Sequence, residues 1–451
     1  MILIKNAWII NEGKQYKASL LIGEERIQAI YPADLSGAYP EIIEKKTDPL
    51  QIIDAEGLWL LPGMIDDQVH FREPGLCHKA DIYSESKAAI AGGITSFMDM
   101  PNTLPQTTTV EALDQKFDRA KEASMANYSF FIGATNENLE ELKRDGAKRA
   151  AAVKVFMGSS TGNMLVDDET VLDRIFAEVD GIIATHCESE SVIARNKEKY
   201  LKECGPDPDI TFHSRIRSAE ACYASSSEAV RLAKKHHTRL HLFHLSTAKE
   251  MSLLEAKPLS QKRITGEVCV HHLWFTDEDY ATKGNLIKWN PSVKSREDRD
   301  ALRKALIEGR IDVVATDHAP HTMEEKQGSC LTAASGGPMV QHALTVMLEM
   351  VKQGVFSPEL IVEKTAHNPA ILFGIKDRGF IREGYYADLV LIDPNFSWVV
   401  SEDNLLYKCK WSPLLGETFS HKVVKTIVNG RLVYDNGSFD EGFRGKELCC
   451  R

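Results

Sequence analysis

Residues 64–75 read MIDDQVHFREPG: an apolar entry, then alternating polar side chains, an arginine and a Glu-Pro-Gly turn. In an extended strand, residues two apart share a face. Asp66, Gln68 and His70 are therefore expected to point one way, with Arg72 just past the strand end. The pattern suggests part of a metal site in which Gln68 stands where a second histidine is expected. One strand makes no site, so the neighbouring strands decide what this one does.

Seven further strand candidates follow: 93–100 (GITSFMDM), 127–134 (NYSFFIGA), 151–157 (AAVKVFM), 181–186 (GIIATH), 239–244 (RLHLFH), 264–270 (ITGEVCV) and 311–317 (IDVVATD). Helical patterns such as VEALDQKFDRAKEA and SREDRDALRKALIEG fall between most of them. Eight strands alternating with helices over about 300 residues predict an α/β fold of the (β/α)8 TIM-like barrel type rather than an open doubly wound sheet. Neither GxGxxG nor a Walker sequence occurs, which counts against a nucleotide-binding sheet. Short strand-like runs flank this region, ILIKNAWII and ASLLIG before it, ADLVLID and HKVVKTIVNGRLVYDNG after it. The expected organisation is a barrel over 63–375 and a small composite β-sandwich built from 1–62 and 376–451.

The bulk composition narrows the partners. The chain has 451 residues, 43% of them hydrophobic and 26% charged, as in ordinary globular proteins, and its formal charge is −11. That balance argues against a nucleic-acid surface, which demands clustered Lys and Arg. No apolar run approaches the roughly 20 residues that span a bilayer, so no membrane partner is expected. The amino terminus lacks the pattern of a secretory signal. Nine cysteines without a CxxC pair read as reduced thiols and a cytoplasmic location. Cys187 reads as a small buried hydrophobe.

Catalytic groups of a barrel converge at the C-terminal ends of its strands. Gln68, His70 and Arg72 lie at the first, Asn102 after the second, Lys154 in the fourth, His186 at the fifth, His244 at the sixth, and Asp317, His318 and His321 after the eighth. Each alone has a bland reading: a packed histidine, a snorkelling lysine, a helix-capping aspartate. Independent bland explanations do not place all of them on one rim. Burial favours the neutral amine of Lys154. Such an amine can add carbon dioxide and become a carbamate whose two oxygens can bridge two metals. Imidazole and carboxylate ligands suit zinc.

The segments PGMIDDQVHFREPG, AAIAGGITSFMDMPNT, HLFHLSTA, NPSVKSREDRDAL and ATDHAPHTMEEK resemble the amidohydrolase superfamily, and within it the dihydroorotases, over nearly the whole chain. The resemblance implies reversible cyclisation of N-carbamoyl-L-aspartate to L-dihydroorotate, a step of pyrimidine biosynthesis, through metal-bound hydroxide. It implies two zinc ions and a carbamate on Lys154. His70 and Asp317 would hold one metal, with Gln68 at the position of its third ligand. An amide oxygen is a weaker donor than imidazole, so that site is expected to be the weaker. Lys154 would bridge to the second metal, held by His186 and His244. Asp317 would also be the general base. Arg72, Asn102 and His321 would hold the substrate carboxylate, with Asn290, Ser335 and Gly336 as further contacts. His271 and His272 match a paired-histidine segment near the site, while His241 reads as structural and Asp66 as a residue orienting a ligand. A homodimer is the assembly considered. Two other readings stay open: an allantoinase or dihydropyrimidinase acting on another cyclic amide, and a non-catalytic relative serving as an assembly partner, for which Gln68 is the one argument.

Overall fold

The computed structural model describes residues 1–32, 50–158 and 163–450. Its centre is a ring of parallel strands. These are β1 (Met64–Val69), β2 (Ile94–Asp99), β3 (Asn127–Phe130, continued by Ile132–Gly133), β4 (Val153–Phe156), β5 (Ile182–His186), β6 (Arg239–Leu242), β7 (Ile264–Cys269) and β8 (Val313–Ala315). Successive strands pair in parallel from β1 to β8. The ring closes where Val69 bridges to His318 and the His70 N–H donates to the His318 carbonyl at 2.7 Å.

All eight strands fall inside the segments expected of them. Each is a little shorter than its segment, two of them for evident local reasons. The third breaks at Phe131, whose N–H turns to the Asp99 carbonyl at 3.0 Å. The eighth stops at Ala315, because two residues later Asp317 adopts φ +45° and leaves the extended conformation.

Helices pack around the ring by the usual amphipathic rule. The helix Val110–Ala123 starts where the Thr109 hydroxyl accepts the Ala112 N–H, and it buries Leu113, Phe117 and Ala120 at i, i+4, i+7 spacing. Phe117 meets Phe130 of β3 edge-on, with centroids 4.8 Å apart. This contact fixes the helix against the outside of the barrel.

Both chain ends contribute to one nine-stranded sheet. Its order runs Ser438–Phe439, Arg431–Asp435, Lys422–Val428, Leu389–Asp393, Trp59–Pro62, Ile2–Asn11, Lys14–Gly23, Arg26–Pro32, and Gln51–Asp54 pairs with Ile2–Asn11. Asn11 bonds Ile381 reciprocally, its amide donating to the carbonyl at 3.0 Å and its oxygen accepting the N–H at 3.1 Å. A second polar junction ties this sheet to the barrel. Asn429 donates to the Asn127 side chain at 2.8 Å, and Asn127 donates to Asp388 at 3.3 Å. Asn127 opens β3, so the sheet grips the barrel at the end remote from the rim.

Candidate metal centre at the barrel rim

Three rim residues other than glycine hold left-handed backbone conformations: Arg72 at φ +69°, His244 at +37° and Asp317 at +45°. Such conformations persist only where surrounding structure imposes them, and they gather at functional sites. Here they follow the ends of β1, β6 and β8, where the chain turns off the barrel and carries its side chains along.

His70 and Asp317 come together as expected. The Nδ1–H of His70 donates to Asn102 Oδ1 at 2.7 Å, so its Nε2 presents a lone pair. That nitrogen lies 3.1 Å from Asp317 Oδ1. A lone pair facing a carboxylate is repulsive until a cation, a proton or a metal, sits between them.

His186 and His244 form a second pair. His186 Nε2 lies 3.1 Å from the Glu188 carboxylate, which is itself ion-paired to Arg217 at 2.5 Å. Burial opposes ionisation of Glu188, but Arg217 and His186 together hold its carboxyl below the usual range. The His186 Nε2–H is thus committed, and Nδ1 points to His244 Nε2 at 2.9 Å. His244 Nδ1 is buried with no hydrogen-bond partner among the described residues. Burial lowers the pKa of both imidazoles, which favours the neutral, metal-ligating form.

Lys154 is 1% exposed, and its amine has no hydrogen-bond partner among the described residues. It lies 4.1 Å from the centroid of the Phe243 ring. Burial pushes its pKa down to about 8, against the pull of Glu267 and Asp317. Amine, imidazole pair and His70–Asp317 pair thus present lone pairs and carboxylate oxygens from β1, β4, β5, β6 and the end of β8. This donor set fits divalent metal ions.

Gln68 departs from the expected arrangement. It is buried, and its amide oxygen meets Cys269 Sγ at 3.8 Å, with no hydrogen bond to His70 or Asp317 among the described residues. Asp66 accepts from the Thr316 N–H at 3.1 Å and from its hydroxyl at 2.6 Å. It therefore fixes the backbone beside Asp317 and touches no ligand imidazole. His271 stacks on Trp289 at 4.2 Å, and His272 donates to the Pro291 carbonyl at 3.1 Å, so both brace the turn that carries Asn290.

Arg72, His321 and Ser335 share one corner. The Arg72 Nε–H donates to the Pro320 carbonyl at 3.0 Å, and an Nη2–H donates to His321 Nε2 at 3.0 Å. Burial lowers the Arg72 pKa to about 10, with Asp317 pulling it back up. Burial and the nearby Arg72, Lys79 and Lys326 keep His321 neutral. His321 Nε2 also lies 3.1 Å from the Ser335 carbonyl. Gly336 takes φ +127°, and a Cβ there would fall 2.5 Å from the Ala319 carbonyl oxygen. Asn290 Oδ1 is buried without a partner among the described residues. His318 turns to Glu85 at 2.9 Å and takes no part in the rim.

Sequence reading missed Glu188. Its signal was available in the run THCE, two residues beyond a strand-end histidine.

A family model described as the amidohydrolase family matches residues 59–433. The chain belongs to the amidohydrolase family. Among curated relatives, a dihydroorotase of Halobacterium salinarum is 33% identical over 92% of this chain and 95% of its own length. A dihydroorotase of Bacillus subtilis is 33% identical over 96% of this chain and 98% of its own. Among solved structures, an L-hydantoinase (dihydropyrimidinase) from Arthrobacter aurescens superposes with a TM-score of 0.92 at 26% identity, covering 100% and 99% of the two chains. The amidohydrolase barrel with its β domain is therefore the fold seen in these neighbours. No helix among the described residues is long and apolar enough to cross a membrane.

Proposed function

We propose that this amidohydrolase interconverts L-dihydroorotate and N-carbamoyl-L-aspartate. His70 and Asp317 would hold one zinc ion, His186 and His244 a second, and the carbamate of Lys154 would bridge them. When bound, such a pair polarises the ring amide carbonyl and makes water acidic enough to attack at neutral pH.

The chain's own residues supply the rest. Asp317 takes the proton of the attacking water and delivers it to the leaving ring nitrogen, and in the cyclising direction the transfers reverse. Asn102 holds the His70 ring through Nδ1, keeping Nε2 directed at Asp317. Glu188 does the same for His186 from the opposite side. Arg72, fixed by Pro320 and His321, offers its remaining N–H groups to the substrate carboxylate, whose two oxygens match a guanidinium fork. Asn290 and the Ser335–Gly336 turn line the remaining ring edge.

The single observation that carries this reading is Arg72. A buried guanidinium beside the rim, whose hydrogen-bond partners among the described residues are neutral, is built for an anion. L-Dihydroorotate carries a carboxylate on its ring, and the dihydropyrimidine and hydantoin rings themselves do not. The likeness to an L-hydantoinase (dihydropyrimidinase) supports the competing reading. Hydrolysis of L-dihydroorotate and of the unsubstituted dihydropyrimidine ring, compared by kcat/KM, separates them. Preference for L-dihydroorotate is expected. Equal or better hydrolysis of the ring without the carboxylate would overturn the proposal.

A further inference from the structure

Below the rim, three strands bring a second set of donors together inside the barrel. Asp67 of β1, His241 of β6 and Glu267 of β7 are all fully buried. His241 Nε2 lies 3.3 Å from Asp67 Oδ2 and 4.0 Å from Glu267 Oε2. Neither Asp67 oxygen, nor Glu267 Oε2, nor His241 Nε2 has a hydrogen-bond partner among the described residues.

The tautomer of His241 follows from its other neighbour. The Thr265 hydroxyl donates to the Leu240 carbonyl at 3.2 Å, so it can only accept from the imidazole at 2.8 Å. Nδ1 therefore carries the hydrogen, and Nε2 points a lone pair at two carboxylates in a dry interior. That arrangement requires a proton or a metal ion among the three groups. Burial beside Asp67 raises the Glu267 carboxyl well above its usual range, so Glu267 as well as His241 can carry that proton. Lys154 is the basic side chain that reaches Glu267 electrostatically, and under the proposed function its carbamate would add negative charge. The choice lies between a proton, on His241 or Glu267, and a metal ion.

We propose that Asp67, His241 and Glu267 supply three ligands of a further metal site, separate from the rim, that takes a small divalent transition ion such as zinc. One imidazole and two carboxylates are a zinc donor set rather than a calcium one. Ligating imidazoles characteristically donate their second N–H to a fixed acceptor, as His241 does to Thr265. The three ligand atoms lie within 4.8 Å of one another. Ligands of a tetrahedral zinc with bonds of about 2.0–2.1 Å sit about 3.3 Å apart, so Asp67 and His241 are already in place. Glu267 closes by a small rotation of its carboxylate, whose other oxygen stays anchored on the His244 N–H at 2.9 Å. An ion here would tie β1 to β6 and β7 across the barrel, beneath the strand ends that carry His70 and His244.

Crystals of the wild-type protein grown with zinc, measured above and below the zinc absorption edge, test this directly. An anomalous peak within about 2.2 Å of Asp67, His241 and Glu267 oxygen or nitrogen atoms is expected. Occupied rim positions with no peak between these three residues would overturn the site and leave a proton shared among the three groups. In solution, zinc-loaded Asp67→Asn and His241→Gln should each hold one ion fewer than the wild type. Equal zinc content in wild type and both variants would contradict the proposal, and the diffraction result stands even if a variant fails to fold. Because zinc at this position is independent of turnover, failure of the dihydroorotase reading would leave this result untouched.

Discussion

On the β4–β5–β6 side of the rim, two imidazole nitrogens stand 2.9 Å apart beside the buried amine of Lys154. On the β8–β1 side, His70 meets Asp317 at 3.1 Å, but the third position belongs to Gln68, whose amide oxygen rests against Cys269 instead. The first half has its full set of candidate ligands and is backed by the buried Glu188, ion-paired to Arg217. The second has two candidate ligands and a neutral side chain turned away. An amide oxygen is a poorer zinc donor than imidazole. The same rim should therefore hold its two ions with unequal strength, and a glutamine in a ligand position weakens a site without abolishing it.

The largest effect should come from Asp317, the residue proposed to serve both metal binding and proton transfer. Asp317→Asn should retain the fold and lose about 10²–10⁴-fold in turnover in both directions, the range of general-base contributions. Circular dichroism and steady-state assays check it, and more than a tenth of wild-type rate would remove Asp317 from that role. Lys154→Ala should empty both halves together, since the proposed carbamate would serve both. Short carboxylic acids should restore part of its activity, and a variant that keeps both ions unaided would show that no bridge is needed.

Glu188→Gln should act on the complete half alone. Replacing such a partner of a ligating histidine typically costs about 10–100-fold in metal affinity. Competition with a chelator measures this, and an unchanged affinity would reduce Glu188 to a packing role.

Much of this contrast was readable in the chain. Eight apolar runs gave the barrel because helical patterns lie between most of them. His70, Lys154, His186, His244 and Asp317 gave the rim because barrel strands end on one side. Side-chain direction in β1 was less legible. Strict alternation puts Asp66, Gln68 and His70 on one face, but the pairing of β1 with β2 is irregular between Asp66 and Val69. That irregularity lets Asp66 reach Thr316, aims Gln68 at Cys269 and turns Asp67 inward to His241. A local register shift leaves no mark in a period-two pattern. Glu188 was missed for another reason: its value lies in a contact with Arg217, 29 residues away.

Anomalous diffraction from zinc-loaded crystals soaked in increasing chelator tests the unequal rim most directly, in the wild type and in Gln68→His. The peak between His70 and Asp317 should fade first in the wild type, while the peak between His186 and His244 persists. In Gln68→His the two should fade together. Simultaneous loss in the wild type, or earlier loss from the His186–His244 half, would contradict the account.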